Sequence, residues 1–283
     1  MTQKTATPSP VISSSKIQKR LILAPQSAGR IGKSTVAEAI LSWMEFADVD
    51  GALFDLDEEH LTISQRYPDL ATVFPEAVKN DNGWAKFMTA VIEVEVPTIL
   101  SDLPAQSTGF ILRQLIERDG LSLWAAAGIR LTLLIFPIED AAARESAIEC
   151  VKILGDRVDW LVVRQPGPKK LVDAHEWADS KLGTRLKELG AAEMTLPQIT
   201  RTAFEEVDKA VKLAGRWLSI SEAIENVGLV ARHELEMWRN HALTGCEDAA
   251  HFLIPDGGLI KRKTTRPKAP AIYRKSVGPV FDL

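Results

Sequence analysis

The stretch Ser27-Ala28-Gly29-Arg30-Ile31-Gly32-Lys33-Ser34-Thr35 (SAGRIGKST) lies between the first apolar run of the chain and its first helical pattern. Glycines let backbone N–H groups approach a polyphosphate closely, and the start of a helix adds unpaired donors and a favourable dipole. Lys33 would neutralise the β- and γ-phosphates, and the Ser34 hydroxyl would bind Mg²⁺. The stretch therefore predicts a phosphate-binding loop. Because Ser27 stands where the strict pattern GxxxxGK[ST] has glycine, a glycine-rich turn without a ligand is the alternative.

Short apolar runs alternate with helical patterns along the chain. The runs are four to seven residues long, at 21–24, 52–56, 98–103, 130–136, 160–163 and 192–196. They are mostly apolar on both faces, as strands of a parallel sheet covered on both sides require. Helices are predicted at 34–47, 84–94, 108–119, 139–154, 170–189, 201–217 and 221–244. This order predicts an α/β fold with a doubly wound, mainly parallel sheet and helices on both faces, followed by a C-terminal helix and a basic tail.

The helical pattern at 221–244 carries an apolar stripe. Its members are Ile224, Val227, Ala231, Leu235, Trp238 and Ala242. Packing against the sheet or a neighbouring helix is the favoured interpretation, and a partner-binding helix is the other. Gly245 is a candidate C-cap. By composition the chain divides into a disordered segment at 1–18, a nucleotide-binding domain at 19–217, a helical extension at 218–254 and a loosely ordered basic tail at 255–283.

Aspartates follow two of the predicted strands. Asp55 and Asp57 come at the end of the second strand, and Asp102 at the end of the third. Ligands of doubly wound sheets bind beyond the carboxyl ends of the strands. Asp55 and Asp102, with Ser34, are therefore candidate Mg²⁺ ligands, and Asp57 could orient an attacking water. Each aspartate alone could simply cap a helix, but three of them beside the loop favour a magnesium site.

The net charge of −4 is unevenly distributed over the 283 residues. Residues 260–275 hold seven Lys and Arg and no acid, which leaves the rest of the chain near −11. A basic segment, 261–275, could follow a nucleic-acid backbone with salt-sensitive affinity; a solvated end is the alternative. Only two cysteines are present, far apart, and the polar N-terminus lacks the apolar core of a signal peptide. These features predict a cytoplasmic protein without a disulfide framework or a membrane span.

The order of the motifs resembles the ParA/MinD family of deviant-Walker P-loop ATPases over about residues 20–217. That family has KGGxGK[ST]T after the first strand, DxD after the second and hhhDxP at the end of a later one. Here the places are held by 28–35 (AGRIGKST), 55–57 (DLD) and 99–104 (ILSDLP). The resemblance implies that Lys33 and Ser34 bind phosphate and Mg²⁺, that Asp57 is the switch aspartate and that Asp102 is the Walker-B residue. It also implies ATP binding, a homodimer with nucleotide between the subunits, and a role in positioning plasmids, chromosomes or other cargo.

Two loop positions depart from the family pattern. The signature lysine, which reaches the nucleotide of the partner subunit, falls at Ala28, and the second glycine falls at Arg30. The missing lysine predicts slow or absent hydrolysis. Arg30 is a candidate substitute, since a guanidinium suits phosphate geometry. The strand at 160–163 runs into Arg164-Gln165, where the family usually has Asn, and the chain has no [NT]KxD motif for guanine, so ATP is expected rather than GTP.

Three functions fit these features. The first is an ATP-binding, weakly hydrolysing protein whose nucleotide state switches its binding of DNA or of an unidentified protein partner, in plasmid partition, transfer or positioning. The second is a P-loop kinase or ligase acting on a small molecule. Such an enzyme needs an arginine-bearing lid, and the segment 58–83 contains only Arg66. The third is a degenerate module that binds nucleotide without hydrolysing it.

Overall fold

A computed structural model of the protein describes residues 17–57, 61–74 and 76–255, without the side chain of Thr62. Within these ranges seven strands form one sheet, and every pairing between them is parallel. The spatial order is β3-β2-β4-β1-β5-β6-β7. The strands are β1 (Lys19–Leu23), β2 (Gly51–Asp55), β3 (Ala71–Val73), β4 (Thr98–Asp102), β5 (Ile129–Ile135), β6 (Asp159–Arg164) and β7 (Ala192–Thr195). The predicted parallel α/β sheet is confirmed.

Helices connect the strands and extend beyond the last one. Those in the described ranges are α1 (Lys33–Ala47), α2 (Thr62–Arg66), α3 (Asp81–Glu93), α4 (Thr108–Glu117), α5 (Gly120–Ala126), α6 (Ala141–Leu154), α7 (Ala174–Asp179), α8 (Lys181–Glu188), α9 (Arg201–Ala214), α10 (Ile220–Asn226), α11 (Leu229–Asp248) and α12 (Ala250–Leu253). A 3₁₀ turn at Gly155–Arg157 follows α6. None of the described helices is long and apolar enough to cross a membrane.

Helices cover both faces of the sheet, as predicted. Ile22 of β1 enters one core, in which Trp43 of α1 and Leu235 of α11 are buried. The preceding residue, Leu21, points to the other face and lies in the opposite core, where Trp84 of α3 is also buried. Successive side chains of a strand point to opposite faces, so a strand buried on both sides is apolar throughout. The helix α1, which follows the phosphate loop, is therefore held between the sheet and the C-terminal helices.

The C-terminal helical pattern differs in detail from the prediction. It forms two helices rather than one, because Val227 is extended (φ −113°, ψ 163°) and α11 starts after Gly228. With α12, the extension contains three helices in the described part of the chain. The prediction of Gly245 as a C-cap is wrong: it lies inside α11, where a Cβ would be 2.7 Å from the carbonyl oxygen of Thr195. All six residues of the apolar stripe are buried, which confirms the packing interpretation.

Three other segments also contain more structure than their patterns indicated. The region 58–83, for which no strand or helix was predicted, holds α2, the edge strand β3 and the start of α3. The pattern at 170–189 breaks at Ser180, whose hydroxyl accepts from the N–H of Gly183 and caps α8. After the predicted helix at 108–119, a further short helix, α5, precedes β5. Elements of three to seven residues are too short to show a period.

The end of the described chain lies across the amino-terminal ends of the strands. Side chains of β1, β4 and β5 donate hydrogen bonds to the backbone carbonyls of residues 251–254; the donors are Arg20, Thr98 and Thr132. Arg20 also forms a buried ion pair with Asp159. Pro255 therefore lies near the amino-terminal ends of the strands, on the opposite side of the sheet from the phosphate loop. The predicted tail from 256 onward, and residues 1–16 of the predicted disordered segment, lie outside the described residues; Gln18 donates its N–H to Gly128 O at 2.8 Å.

Candidate nucleotide site

The predicted phosphate loop leaves β1 at the switch point of the sheet. From β1 the chain first passes to β2 on one side and later to β5 on the other, and open α/β sheets bind ligands beyond the strand ends at such a point. Gly32 has φ 95° and ψ 12° and is the N-cap of α1, without a side-chain capping bond. Lys33, Ser34 and Thr35 form the first turn of α1, so their N–H groups are the ones that a helix start leaves for a ligand.

Buried polar contacts fix the first part of the loop. The Gln26 amide donates to the carbonyl oxygens of Phe136 and Ala143, both at 3.1 Å, and accepts from the Phe136 N–H at 2.5 Å. The Ser27 N–H donates to Ser146 Oγ at 3.0 Å, and Ser27 Oγ lies 2.6 Å from Thr108 Oγ1. The serine that replaces the motif glycine thus ties the loop to α4 and α6.

The middle of the loop presents different side chains to the core and to solvent. Ala28 and Ile31 are buried in the core beside α1. Gly29 and Arg30 are exposed, and Arg30 adopts a left-handed conformation with φ 59°. A Cβ on Gly29 would meet no atom within 4 Å. The guanidinium of Arg30 is therefore on the outer surface of the loop. At the position of the family's signature lysine, the chain has the buried methyl group of Ala28.

Lys33 carries the clearest electrostatic signal of the site. Its Nζ is shielded from solvent and has no hydrogen-bond partner among the described residues. Burial lowers the pKa of Lys33, and the negative charges of Asp102 and Asp57 oppose that effect. A cation in the first turn of a helix is unfavourable because the helix dipole is positive there. A bound anion would remove both penalties.

The carboxylates predicted from the strand ends lie around this lysine. Asp55 and Asp102 are register neighbours on β2 and β4, and they are 0% and 7% exposed. Burial, followed by the charge of Asp55, raises the pKa of Asp102 to about 7, while Lys33 opposes the rise. Burial also raises the pKa of Asp55; the approach of Ser64 and the Asp57 N–H, 3.0 Å from Oδ1, oppose it. The structure brings Lys33, Asp55, Asp57 and Asp102 together.

These residues fit a magnesium-bound nucleotide. Two buried polar atoms of the site, Lys33 Nζ and Asp55 Oδ2, have no hydrogen-bond partner of normal geometry among the described residues. The described ranges contain no group of three or more His, Cys, Asp or Glu side chains placed to hold a metal ion unaided. Mg²⁺ usually takes one or two carboxylates, waters and substrate phosphates, so it would depend on the nucleotide here. The assignment of Ser34, Asp55 and Asp102 as its ligands stays a prediction.

Gln165 packs over the loop from the end of β6. Its side chain is buried, and a Cβ built on Gly32 would lie 2.4 Å from its Oε1. That oxygen has no hydrogen-bond partner in the described part of the chain. The preceding Arg164 instead donates to the carbonyl of Val172 at 2.8 Å. Position 32 therefore favours glycine because of its positive φ, and a side chain there would also displace the Gln165 amide.

Sequence reasoning missed the residues that hold the loop in place. Gln26, Thr108 and Ser146 are buried polar residues in ordinary positions of the pattern. Their partners lie 81 to 119 residues away, so no local motif marks them. An isolated Gln between an apolar run and a glycine-rich loop was the only available signal.

Comparisons with known proteins add neighbours of low similarity. No protein family model and no curated protein matches the chain. Among solved structures, the MinD cell division protein of Aquifex aeolicus matches 81% of this chain and 97% of its own, with 14% identity and a TM-score of 0.44. A nucleotide-binding protein of Archaeoglobus fulgidus, in complex with ADP, matches 66% and 84%, with 16% identity and a TM-score of 0.36. A MinD protein is thus among the solved structures that the chain matches.

Proposed function

We propose that the protein binds ATP with Mg²⁺ at the loop 27–35 and that its nucleotide state switches the binding of a partner. The observation that supports this most is the Lys33 ammonium, which lies shielded at a helix start, facing Asp57 and Asp102, with no hydrogen-bond partner among the described residues. A buried cation without such a partner is costly, and a phosphate at the loop would pair it.

Each site residue has a defined part in this proposal. Lys33 and the N–H groups of Gly32 to Thr35 bind the β- and γ-phosphates. Ser34 and the carboxylates of Asp55 and Asp102 hold Mg²⁺, which neutralises phosphate charge when bound. Asp57 orients the hydrolytic water. The remaining loop residues, from Ser27 to Ile31, shape the phosphate cradle.

Hydrolysis is proposed to be slow. The lysine that would act across a nucleotide-sandwich homodimer is replaced by Ala28, which is 4% exposed and packed in the core. Arg30 is the cation of this loop that faces outward, and it is the candidate to act on phosphate charge in a dimer. The burial of Ala28 also favours the alternative of a module that binds nucleotide without hydrolysing it.

The kinase or ligase alternative loses its lid residue. Arg66, the arginine that the segment 58–83 offers, donates to the buried Glu38 carboxylate at 2.8 Å. It is therefore engaged beside α1. We therefore do not propose this activity.

The partners are proposed from sequence and resemblance. The basic segment 261–275, which lies outside the described residues, is the candidate for nonspecific DNA binding. A cytoplasmic location, an unidentified protein partner and a role in plasmid partition, transfer or positioning complete the proposal.

Nucleotide binding and turnover on one preparation test the proposal. A fluorescent ATP analogue should bind only weakly without Mg²⁺, and unlabelled ATP should compete better than GTP. Phosphate release should be slow and should respond to DNA or a protein fraction, not to small-molecule acceptors. Binding without any turnover would favour the non-hydrolysing module. Absence of binding, or turnover that requires a small acceptor, would contradict the proposal.

A further inference from the structure

A buried carboxylate on α1 joins three parts of the molecule that are distant in sequence. Glu38 is 2% exposed. Its Oε2 accepts from Arg66 Nη1 at 2.8 Å, and its Oε1 accepts from the Tyr67 hydroxyl at 2.7 Å and from the Ile220 N–H at 2.6 Å. A buried carboxylate that loses such a donor is strongly destabilised, so we expect the three donors to keep their contacts with Glu38 and to move together with it.

Two of the elements that meet at Glu38 also carry residues of the nucleotide site. Glu38 lies in the second turn of α1, which begins at Lys33. Arg66 ends α2. The same short helix contains Ser64, which lies close enough to Asp55 to oppose the rise that burial causes in the pKa of this carboxyl. Charge brought to Lys33 and Asp55 therefore acts on both elements that position the Glu38 cluster.

The third element is the start of α10 in the C-terminal helices. Ile220 is the first residue of α10, so its N–H has no partner within the helix. The carboxylate of Glu38 accepts this hydrogen bond. Ser219 and Glu222 form a capping box for the same turn. Arg66 also lies over the ring of Trp217, with Cζ 5.3 Å from the centroid. The junction between α9 and α10, residues 215–219, is thus held from the α2 side by Arg66 and from the α1 side by Glu38.

We infer that Glu38, Arg66 and Tyr67 form a relay that passes the occupancy of the nucleotide site to the α9–α10 junction. The relay rests on the proposed function, because it needs nucleotide at the loop. It goes further in naming the part of the surface that responds. Trp217 is 37% exposed, so a change in the conformation of the junction alters the surface around this indole, where a partner could bind.

Hydrogen–deuterium exchange of the full-length chain, with and without Mg²⁺ and a non-hydrolysable ATP analogue, tests the relay. In the wild type, nucleotide should change the exchange rates of peptides covering 215–228 by about 5- to 150-fold, the usual range for coupling between sites. Tyr67→Phe removes one hydroxyl at constant volume, and Arg66→Gln removes the charge. Both variants should keep nucleotide affinity within a few-fold of the wild type and lose most of the response at 215–228.

Arg113→Gln is the matched control, since Arg113 lies over Phe110 on α4 and outside the relay; it should respond like the wild type. A wild type that binds nucleotide without any change at 215–228 would overturn the relay and leave the proposed function intact. A full response in Tyr67→Phe would overturn the relay as well, even if Arg66→Gln fails to fold. A wild type that binds no nucleotide would overturn the proposed function and the relay together.

Discussion

Replacement of Asp102 by asparagine should remove a pH-dependent loss of stability from the metal-free protein. Burial and the charge of Asp55 raise the pKa of Asp102 from 3.8 to about 7. In the unfolded chain the carboxyl releases its proton near the lower value, whereas the native state keeps it until the higher one. Between these values the native state binds more protons, so stability falls as the pH rises.

The size of the effect follows from the shift. About 3 pKa units correspond to roughly 4 kcal/mol at full ionisation, and integration from pH 5 to pH 8 gives a loss of about 3 kcal/mol. The attraction of Lys33 is already included, because it lowers the pKa of Asp102. Asp55, whose pKa is also raised by burial, adds a slope of the same sign. Asp102→Asn should therefore exceed the wild type by a margin that is small near pH 5 and about 3 kcal/mol larger at pH 8, and it should retain a shallower slope.

Urea unfolding in EDTA at several pH values between 5 and 8 measures this slope. Asp69→Asn removes the same charge at an exposed position and should run parallel to the wild type. The reasoning is refuted if Asp102→Asn runs parallel to the wild type too, or if wild-type stability rises over this interval.

Three further predictions concern the loop and the tail. Gly32→Ala should cost about 1–3 kcal/mol of stability, because position 32 has a positive φ and a side chain there would displace Gln165. Gly29→Ala should be nearly neutral. Thermal unfolding measures both losses of stability, and equal losses would contradict this explanation. Arg30→Ala should lower ATP turnover more than ATP affinity, and equal loss of both, or no effect, would exclude Arg30 as the substitute cation. Deletion of 256–283 should abolish salt-sensitive DNA binding in a mobility-shift assay while nucleotide affinity stays, because Pro255 lies at the opposite edge of the sheet; unchanged DNA binding would exclude the tail.

Much of the fold could be predicted because its strands are buried on both faces. Runs such as 160–163 (WLVV) carry apolar side chains throughout, so they stand out against amphipathic helices on either side. The edge strand β3 has only three residues and is largely exposed, and it left no comparable signal. The break at Gly228 was missed because the apolar stripe continues across it: Ile224 and Ala231 remain buried on the two sides.

The proximity of the candidate site residues could be predicted because each lies at a strand end or at the end of the loop that follows one. Asp55 and Asp102 are the last residues of β2 and β4, and Lys33 opens α1 after the loop that follows β1. Parallel strands bring these carboxyl ends to the same side of the sheet. The cluster at Glu38 could not be predicted, since its donors come from residues 28, 29 and 182 positions away. A glutamate on an apolar helix gives no indication of what will pair with it.

Calorimetric titration of the wild type and Lys33→Ala with ATP and Mg²⁺ tests the nucleotide site most directly. Lys33→Ala removes a shielded cation that has no hydrogen-bond partner among the described residues, so the protein should stay folded. The affinity should fall by about 1.5–3 kcal/mol, or roughly 10- to 150-fold, as for loss of a hydrogen bond to a charged group. Lys86→Ala, at an exposed position of α3, should bind as the wild type does. Equal affinity of Lys33→Ala and the wild type would contradict the site.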